Sequence, residues 1–392
     1  MKTDTQTINQ RFQVSYDYPV VFTDGVFEPD NEVLVQVVKS LSLTRIHRVF
    51  VCIDSGVAEA WPSLNTAIRR YVRAHRHHLK LVCEPIVLPG GEACKNDPEL
   101  VTQLLTRFAN HGLDRQSFVL AIGGGAVLDM VGYAAAIAHR GIRLIRLPTT
   151  VLAQNDAGVG VKNSVNAFDS KNFLGTFCPP IAVLNDIRFI STLDDRDKRA
   201  GMAEAVKVAL IRDGTFFEWL VDHSQALANF ECDAMAYMIR RCAELHLDHI
   251  ATSGDPFEYG SARPLDFGHW AAHKLEVLTA HALRHGEAVA IGMALDARYS
   301  VECGLLEDDD FQIICRLLAT LGFDCTHELL GTNGPDGRLM VLSGLEEFRQ
   351  HLGGELTVTL LTGLGEKIEV NEIDEALLIR SVDYLAMHVQ AA

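Results

Sequence analysis

FVLAIGGGAVLDMVGYAAAIAHRGIRLIRLPTT, residues 118–150, decides how this chain is read. Its first apolar run ends in three glycines, Gly123 to Gly125, and reads as a buried strand. A helix-like segment, AVLDMVGYAAAIAHRG, follows, and then a second buried strand, IRLIRLPTT. Strand, glycine turn, helix and strand make a βαβ unit, in which the glycines let the backbone approach a pyrophosphate at the helix N-terminus. Glycines alone fit a tight turn just as well, so the reading depends on what surrounds them. Beyond Thr150 the chain loosens into VLAQNDAGVGVKNSVNAFDSKNFLGTF, rich in Gly, Asn, Asp and Lys.

Upstream, PVVFTDG offers a strand or hairpin and NEVLVQVVKSL a helix. VFVCID (49–54) is a buried strand ending in Asp54, an acid placed either to bind a nucleotide ribose or simply to make a turn. The helix beginning near Pro62 ends in AHRHHLK. His75, His77 and His78 there read as a solvated helix end, because no carboxylate or cysteine stands at ligand spacing. PIVLPGGEACK (85–95) is a strand running into a glycine turn, with Glu92 and Lys95 at i,i+3 spacing that by itself also suits a surface ion pair. Downstream, PPIAVLNDIRFISTL supplies one more strand. From about Asp194 the pattern becomes helical, with LTVTLL (356–361) as the main β-prone exception. The expected organisation is an α/β Rossmann-like half over residues 1–195 and a mostly α-helical half over 196–392.

Composition narrows the function classes. The 392 residues suffice for two cores, and 48% hydrophobic with 22% charged residues describes an ordinary globular protein. A net charge of −16 argues against nucleic acid or anionic membranes as partners, so an anionic substrate needs a local cluster of cations. The polar N-terminus has no signal-peptide core, and no apolar run is long enough to span a bilayer. Nine scattered cysteines with no CxxC pair fit reduced thiols, and a cytoplasmic location is expected.

GGGAVLD (123–129), HRG (139–141), LPTT (147–150), LAQND (152–156), Lys162, SKNFLGTF (170–177), AGMAEAVK (200–207), FGH (267–269) and HGEAVAIGM (285–293) occur in one order. In that order and near that spacing they resemble the sugar phosphate cyclases, whose best-known member is dehydroquinate synthase. The resemblance implies NAD, contacted by Asp54, Glu92, Lys95, Gly124, Gly125, Ala126, Asp129, Thr149, Thr150 and Thr192. It implies one divalent metal, Zn or Co, on Glu204, His269 and His285. As catalytic residues it implies Lys162, Lys207, Asp156, His273 and Asn172, and as substrate contacts Arg140, Lys171, Arg263 and Asp266. His273 stands four residues after His269, on the same helical face. Arg140 is expected to reach into a partner's site, which implies a homodimer. The implied reaction borrows and returns a hydride: oxidation of a ring hydroxyl, β-elimination of phosphate, reduction, ring opening and intramolecular aldol closure.

Departures from dehydroquinate synthase bear on the substrate. Leu128 replaces a glycine, and Val161 and Asn163 alter the GGKT pattern. No lysine stands in RRCAELHLDHIATS, where the family has one, and Asp266 replaces an asparagine. Arg263 is displaced by one position, and Arg349 is a candidate to replace a missing phosphate-site lysine. RPLDFGHW and EEFRQHLGG resemble the valiolone-forming branch. The expected substrate is therefore sedoheptulose 7-phosphate, giving 2-epi-valiolone or 2-epi-5-epi-valiolone. The alternatives are a 3-dehydroquinate synthase and a metal- and NAD-dependent polyol dehydrogenase.

Overall fold

The computed structural model describes residues 7–168, 170–252, 264–280, 282–351 and 354–388. In its first half the strands are β1 (Val20–Thr23), β2 (His47–Asp54), β3 (Leu79–Leu81), β4 (Ile86–Leu88), β5 (Phe118–Gly123), β6 (Arg143–Pro148), β7 (Lys162–Ala167), β8 (Ser170–Phe177) and β9 (Ala182–Asp186). Between them run helices α1 (Val33–Leu41), α2 (Ser55–Ala60), α3 (Leu64–Ala74), α4 (Pro98–Asn110) and α5 (Gly125–Ile137). Seven strands form one parallel sheet in the order β1-β9-β6-β5-β2, with β3 and β4 both pairing along the outer edge of β2. β5 is buried at every position because helices cover both faces, which is why it reads as an unbroken apolar run.

Register places the functional end of the sheet. Asp54 pairs with Leu88, Ile53 with Ile122, and Gly123 with Pro148, so the carboxyl ends of four strands finish level. That edge is where open α/β sheets bind ligands. The stretch after Thr150, read from sequence as loose, is more ordered than its composition suggests. Ala153–Ala157 makes one π-helical turn, and β7 and β8 pair as an antiparallel hairpin. Its asparagines are spent on side-chain ties described below rather than on turns. Asn163, one of the departures, packs into the space that Gly132 leaves on α5, where a Cβ would strike its side chain. Leu128, another, is simply core.

From Asp195 the chain is helical: α6 (Asp195–Ala200), α7 (Met202–Arg212), α8 (Gly214–Asp222), α9 (Ser224–Ala228), α10 (Cys232–Thr252), α11 (His269–Leu278), α12 (His285–Glu302), α13 (Asp308–Thr320), α14 (Ser343–His351) and α15 (Glu375–His388). α12 is buried along nearly all its length and forms the axis of this half. The β-prone run becomes β10 (Val358–Gly363), pairing antiparallel with β11 (Glu366–Val370), a partner strand that the sequence reading did not anticipate. One apolar core fills the helical half, and two others flank the sheet. All nine cysteines are free thiols. No helix of the described residues is long and apolar enough to cross a membrane.

Candidate active site

At the level edge of the sheet, Asp54, Gly90, Gly124, Gly125, Thr149 and Thr150 line a cavity of 490 Å³. The N-terminus of α5 opens directly onto it, so the helix dipole faces a space suited to phosphate. Asp54 caps α2 by accepting from the Gly56 amide at 2.9 Å. Burial pushes its carboxyl up from the usual range, against the amide bonds that hold it down. Gly90 passes so close to this carboxylate that no side chain fits there. Thr192 does not line the cavity; its hydroxyl donates to the Phe189 carbonyl at 2.7 Å, and the neighbouring Leu193 is the lining residue.

The cavity continues, past Gly125, Ala126 and His285, into a cleft of 780 Å³ between the sheet edge and the helices. Glu204 on α7, His269 opening α11 and His285 opening α12 converge at its floor. The Nε2 atoms of both histidines lie 3.6 Å from one Glu204 oxygen. Each ring is oriented from behind: His269 Nδ1 is 3.0 Å from the Phe267 carbonyl, and His285 Nδ1 is 3.3 Å from Glu276. Those contacts leave both Nε2 atoms for a common ligand. Glu204 is 1% exposed, and neither of its oxygens has a hydrogen bond of acceptable geometry, although the Lys207 ammonium lies against it as an ion pair.

Electrostatics point the same way. Burial would raise the Glu204 carboxyl, but Lys207, His285 and His269 outweigh it and hold it well below the usual range. Burial and the neighbouring Lys207 push His269 well down, leaving a neutral imidazole. Against burial, Glu204 and Glu276 hold the His285 imidazolium up to about 9. A buried carboxylate and two aimed imidazoles, drawing a positive charge between them, fit a divalent cation. His273, with Glu276 and His285, forms a second group of clustered ligand atoms on the open side.

The β7–β8 hairpin overhangs this floor. Lys162, Lys171, Asn172 and Asp156 line the cleft together with Asp266, His273, Lys95, Glu92 and Asp129. Lys171 reaches across to Glu276, 3.9 Å away. Lys207 is buried below; burial alone would lower it, but Glu204, Asp156 and Asp266 hold its ammonium up. Behind the hairpin lies a further cavity of 460 Å³, sharing Asp129, Asp156, Lys162 and Asn172 with the cleft.

Several contributors were not anticipated. Arg146, fully buried in β6, donates to the carbonyls of Gly158, Gly160 and Lys162 and to Asn163 Oδ1, at 2.7–3.1 Å. A charge inside an apolar strand was the available signal. His246 on α10 sits with Nδ1 2.9 Å from Asp156 Oδ1, in the segment noted only for its missing lysine. Glu276 was legible as the i+3 neighbour of His273.

Other expected residues fall elsewhere. Arg140 is exposed in a short turn after α5 and lines none of these cavities. Arg263 lies outside the described residues. Arg349 turns away from the cleft, bonded to Glu346 at 2.9 Å and to the Gly354 carbonyl at 3.1 Å, while its neighbours Glu347 and Phe348 form the wall.

Residues 85–200 match the 3-dehydroquinate synthase N-terminal family and residues 201–337 its C-terminal counterpart. A 3-dehydroquinate synthase of a Nitratiruptor species is 43% identical over 218 residues, so the matched part spans 55% of this chain and 60% of that relative. The solved structure of ValA (2-epi-5-epi-valiolone synthase) from Streptomyces hygroscopicus subsp. jinggangensis 5008, with NAD+ and Zn2+ bound, is 28% identical with a TM-score of 0.84, covering 97% of this chain and 99% of that one. A 2-deoxy-scyllo-inosose synthase, 24% identical with a TM-score of 0.74 and covering 93% of this chain and 95% of that one, shares the fold.

Proposed function

We propose a substrate on one premise: this chain belongs to the 3-dehydroquinate synthase family of sugar phosphate cyclases. Within it, the chain converts sedoheptulose 7-phosphate to a valiolone-type cyclitol with release of phosphate. NAD+ in the glycine-lined cavity supplies reversible hydride transfer, and a divalent metal on Glu204, His269 and His285 supplies polarisation of the substrate oxygens. Lys162, Lys171 and Asn172 offer charge and hydrogen bonds to the phosphate from the hairpin side. Asp156 and Asp266 accept from ring hydroxyls, and Lys207 places a buried positive charge beneath them. His273, on the open face beside His285, is placed to move a proton at the substrate. Arg140 would complete the phosphate site of a second copy, in a cytoplasmic homodimer.

The observation that carries the choice of substrate is Asp266 in the cleft wall. Its carboxylate shares Lys207 with Glu204 and Asp156, so that buried cation already answers three acids. A substrate carboxylate brought against it would be a like-charge contact, and an uncompensated buried charge costs about 3–5 kcal/mol. The hydroxymethyl group of sedoheptulose 7-phosphate donates hydrogen bonds to Asp266 without that cost. A second reading, 3-dehydroquinate synthase, is favoured by the name of the 43% identical relative.

The two separate in one experiment. Phosphate release and product NMR are measured with sedoheptulose 7-phosphate and with the carboxylated heptulosonate 7-phosphate. Turnover of the first to a C7 carbocycle is expected. Turnover of the second alone would establish the rival, and net accumulation of NADH from a polyol would point to a dehydrogenase.

A further inference from the structure

Asp156 reaches the cleft from the π-helical turn Ala153–Ala157, a rare conformation that recurs at functional sites. The three polar side chains of that turn are tied to three different parts of the fold. Gln154 Nε2 donates to the Pro148 carbonyl at 3.1 Å and to the Asp186 carbonyl at 2.9 Å, at the ends of β6 and β9. Asn155 Nδ2 donates at 2.9 Å to the carbonyl of Gly201, the residue before α7. Asp156 turns to α10, where His246 Nδ1 stands 2.9 Å from its Oδ1.

That third tie acts on the carboxylate itself. Arg146 and Tyr18 fasten the chain just beyond the turn, but they end on the carbonyls of Gly158, Gly160 and Val159. They fix the backbone and leave the direction of the Asp156 side chain to its own partners. Burial would raise the Asp156 carboxyl, but His246, ahead of Lys207, outweighs it and holds the group below the usual range. A proton on Nδ1 serves the carboxylate whether the ring is neutral or charged, and a contact at Oδ1 leaves Oδ2 to accept from a ligand. The pair stands at ion-pair distance without full hydrogen-bond alignment, a looseness common in catalytic contacts that substrate later tightens. Placement separates the two roles. Asp156 lines both the cleft and the 460 Å³ cavity behind the hairpin, whereas His246 lines the cavity alone.

We propose that His246 is a positioning residue for Asp156: from behind the hairpin it holds the π-helical turn and aims the carboxylate into the cleft, where it accepts from a ring hydroxyl of the sugar phosphate. The role toward the sugar rests on the proposed function; the holding of the turn does not.

Full-length His246→Asn, His246→Gln and His246→Leu separate the two ring nitrogens. An asparagine amide stands where Nδ1 stood, a glutamine amide where Nε2 stood, and leucine offers neither. With sedoheptulose 7-phosphate, His246→Leu and His246→Gln are expected to lose about a hundredfold in kcat, with KM changed less than about threefold. His246→Asn keeps kcat within about fivefold of wild type. Hydrogen exchange of residues 153–158 is expected to speed up about tenfold in His246→Leu and His246→Gln while the 118–123 strand is unchanged. Should His246→Leu fail to fold, the comparison of asparagine with glutamine carries the test. Wild-type kcat in His246→Gln, or equal losses in His246→Asn and His246→Gln, overturns the proposal. Exchange of the turn at the wild-type rate, a readout that needs no turnover, overturns it as well. An error in the substrate shows separately, as a wild-type protein inactive with sedoheptulose 7-phosphate, and the same comparison is then made with the carboxylated heptulosonate 7-phosphate.

Discussion

Gly292→Ala tests the packing that brings the two histidine-bearing helices together. Gly292 lies inside α12, and Gly268, the residue before His269, rests directly on it with φ at +77°. A Cβ at position 292 would stand 2.9 Å from the Gly268 carbonyl carbon and 3.2 Å from its Cα, nearer still to its oxygen, where ordinary contact begins at 3.4 Å. All three atoms are backbone, so no rotamer can yield, and the start of α11 must lift from α12. Overpacking of this kind costs about 1–3 kcal/mol. Alanine for glycine within a helix returns about 1 kcal/mol. The net loss is therefore up to about 2 kcal/mol. Lifting α11 also draws His269 from its position 3.6 Å from Glu204, and a misplacement of about 1 Å in a site can cost on the order of a hundredfold. Urea denaturation and bound-metal analysis measure the two effects. The control is Gly331→Ala, where the added methyl meets open space. A Gly292→Ala protein with wild-type midpoint and wild-type metal content would refute this account of the helix crossing.

Four further outcomes are expected. Asp296, 2% exposed and accepting from Trp270 Nε1 at 2.9 Å and the Gly268 amide at 3.0 Å, has its carboxyl pushed up to about 7 by burial. An unfolded aspartate titrates near ~3.9, so the folded state binds the extra proton between these values. Its contribution to stability is full below pH ~4 and is lost as pH rises through about 7, and Asp296→Asn should flatten the difference between urea midpoints at pH 5 and pH 8. Equal slopes in the two proteins would argue against it. Arg146→Met strands four acceptors, each worth about 1–3 kcal/mol when buried unsatisfied, so a loss of at least about 3 kcal/mol is expected by urea titration. His285→Ala should abolish metal binding with an unchanged circular dichroism spectrum. Glu276→Gln, which loosens the ring from behind, should weaken metal binding by about 10–100-fold; unchanged affinity would show that the 3.3 Å contact does not matter.

Residues 118–150 show how much is local. The strand, the glycine turn and the helix of that unit are encoded in neighbouring residues, since burial on both faces demands a continuous apolar run and a tight approach demands glycine. The same holds for the helical character after Asp194 and for the cation cluster that a −16 chain must gather around an anion. The ordered motifs carried the family and pointed to Glu204, His269 and His285, although nothing local in a lone histidine marks it as a ligand. That those three side chains meet was decided by the Gly268–Gly292 crossing and by the level edge of the sheet, which are relations between distant backbones. Tertiary structure likewise turned Arg349 outward, buried Arg146 beneath the hairpin and placed His246 against Asp156. Lys95 draws the line most sharply. Its neighbours in sequence say that a lysine follows a glycine turn, while the acceptors that its ammonium meets come from residues 129, 164 and 172. Propensity and pattern act over a few residues and are written in the chain; hydrogen-bond saturation and backbone contact are set only when remote segments share the same space.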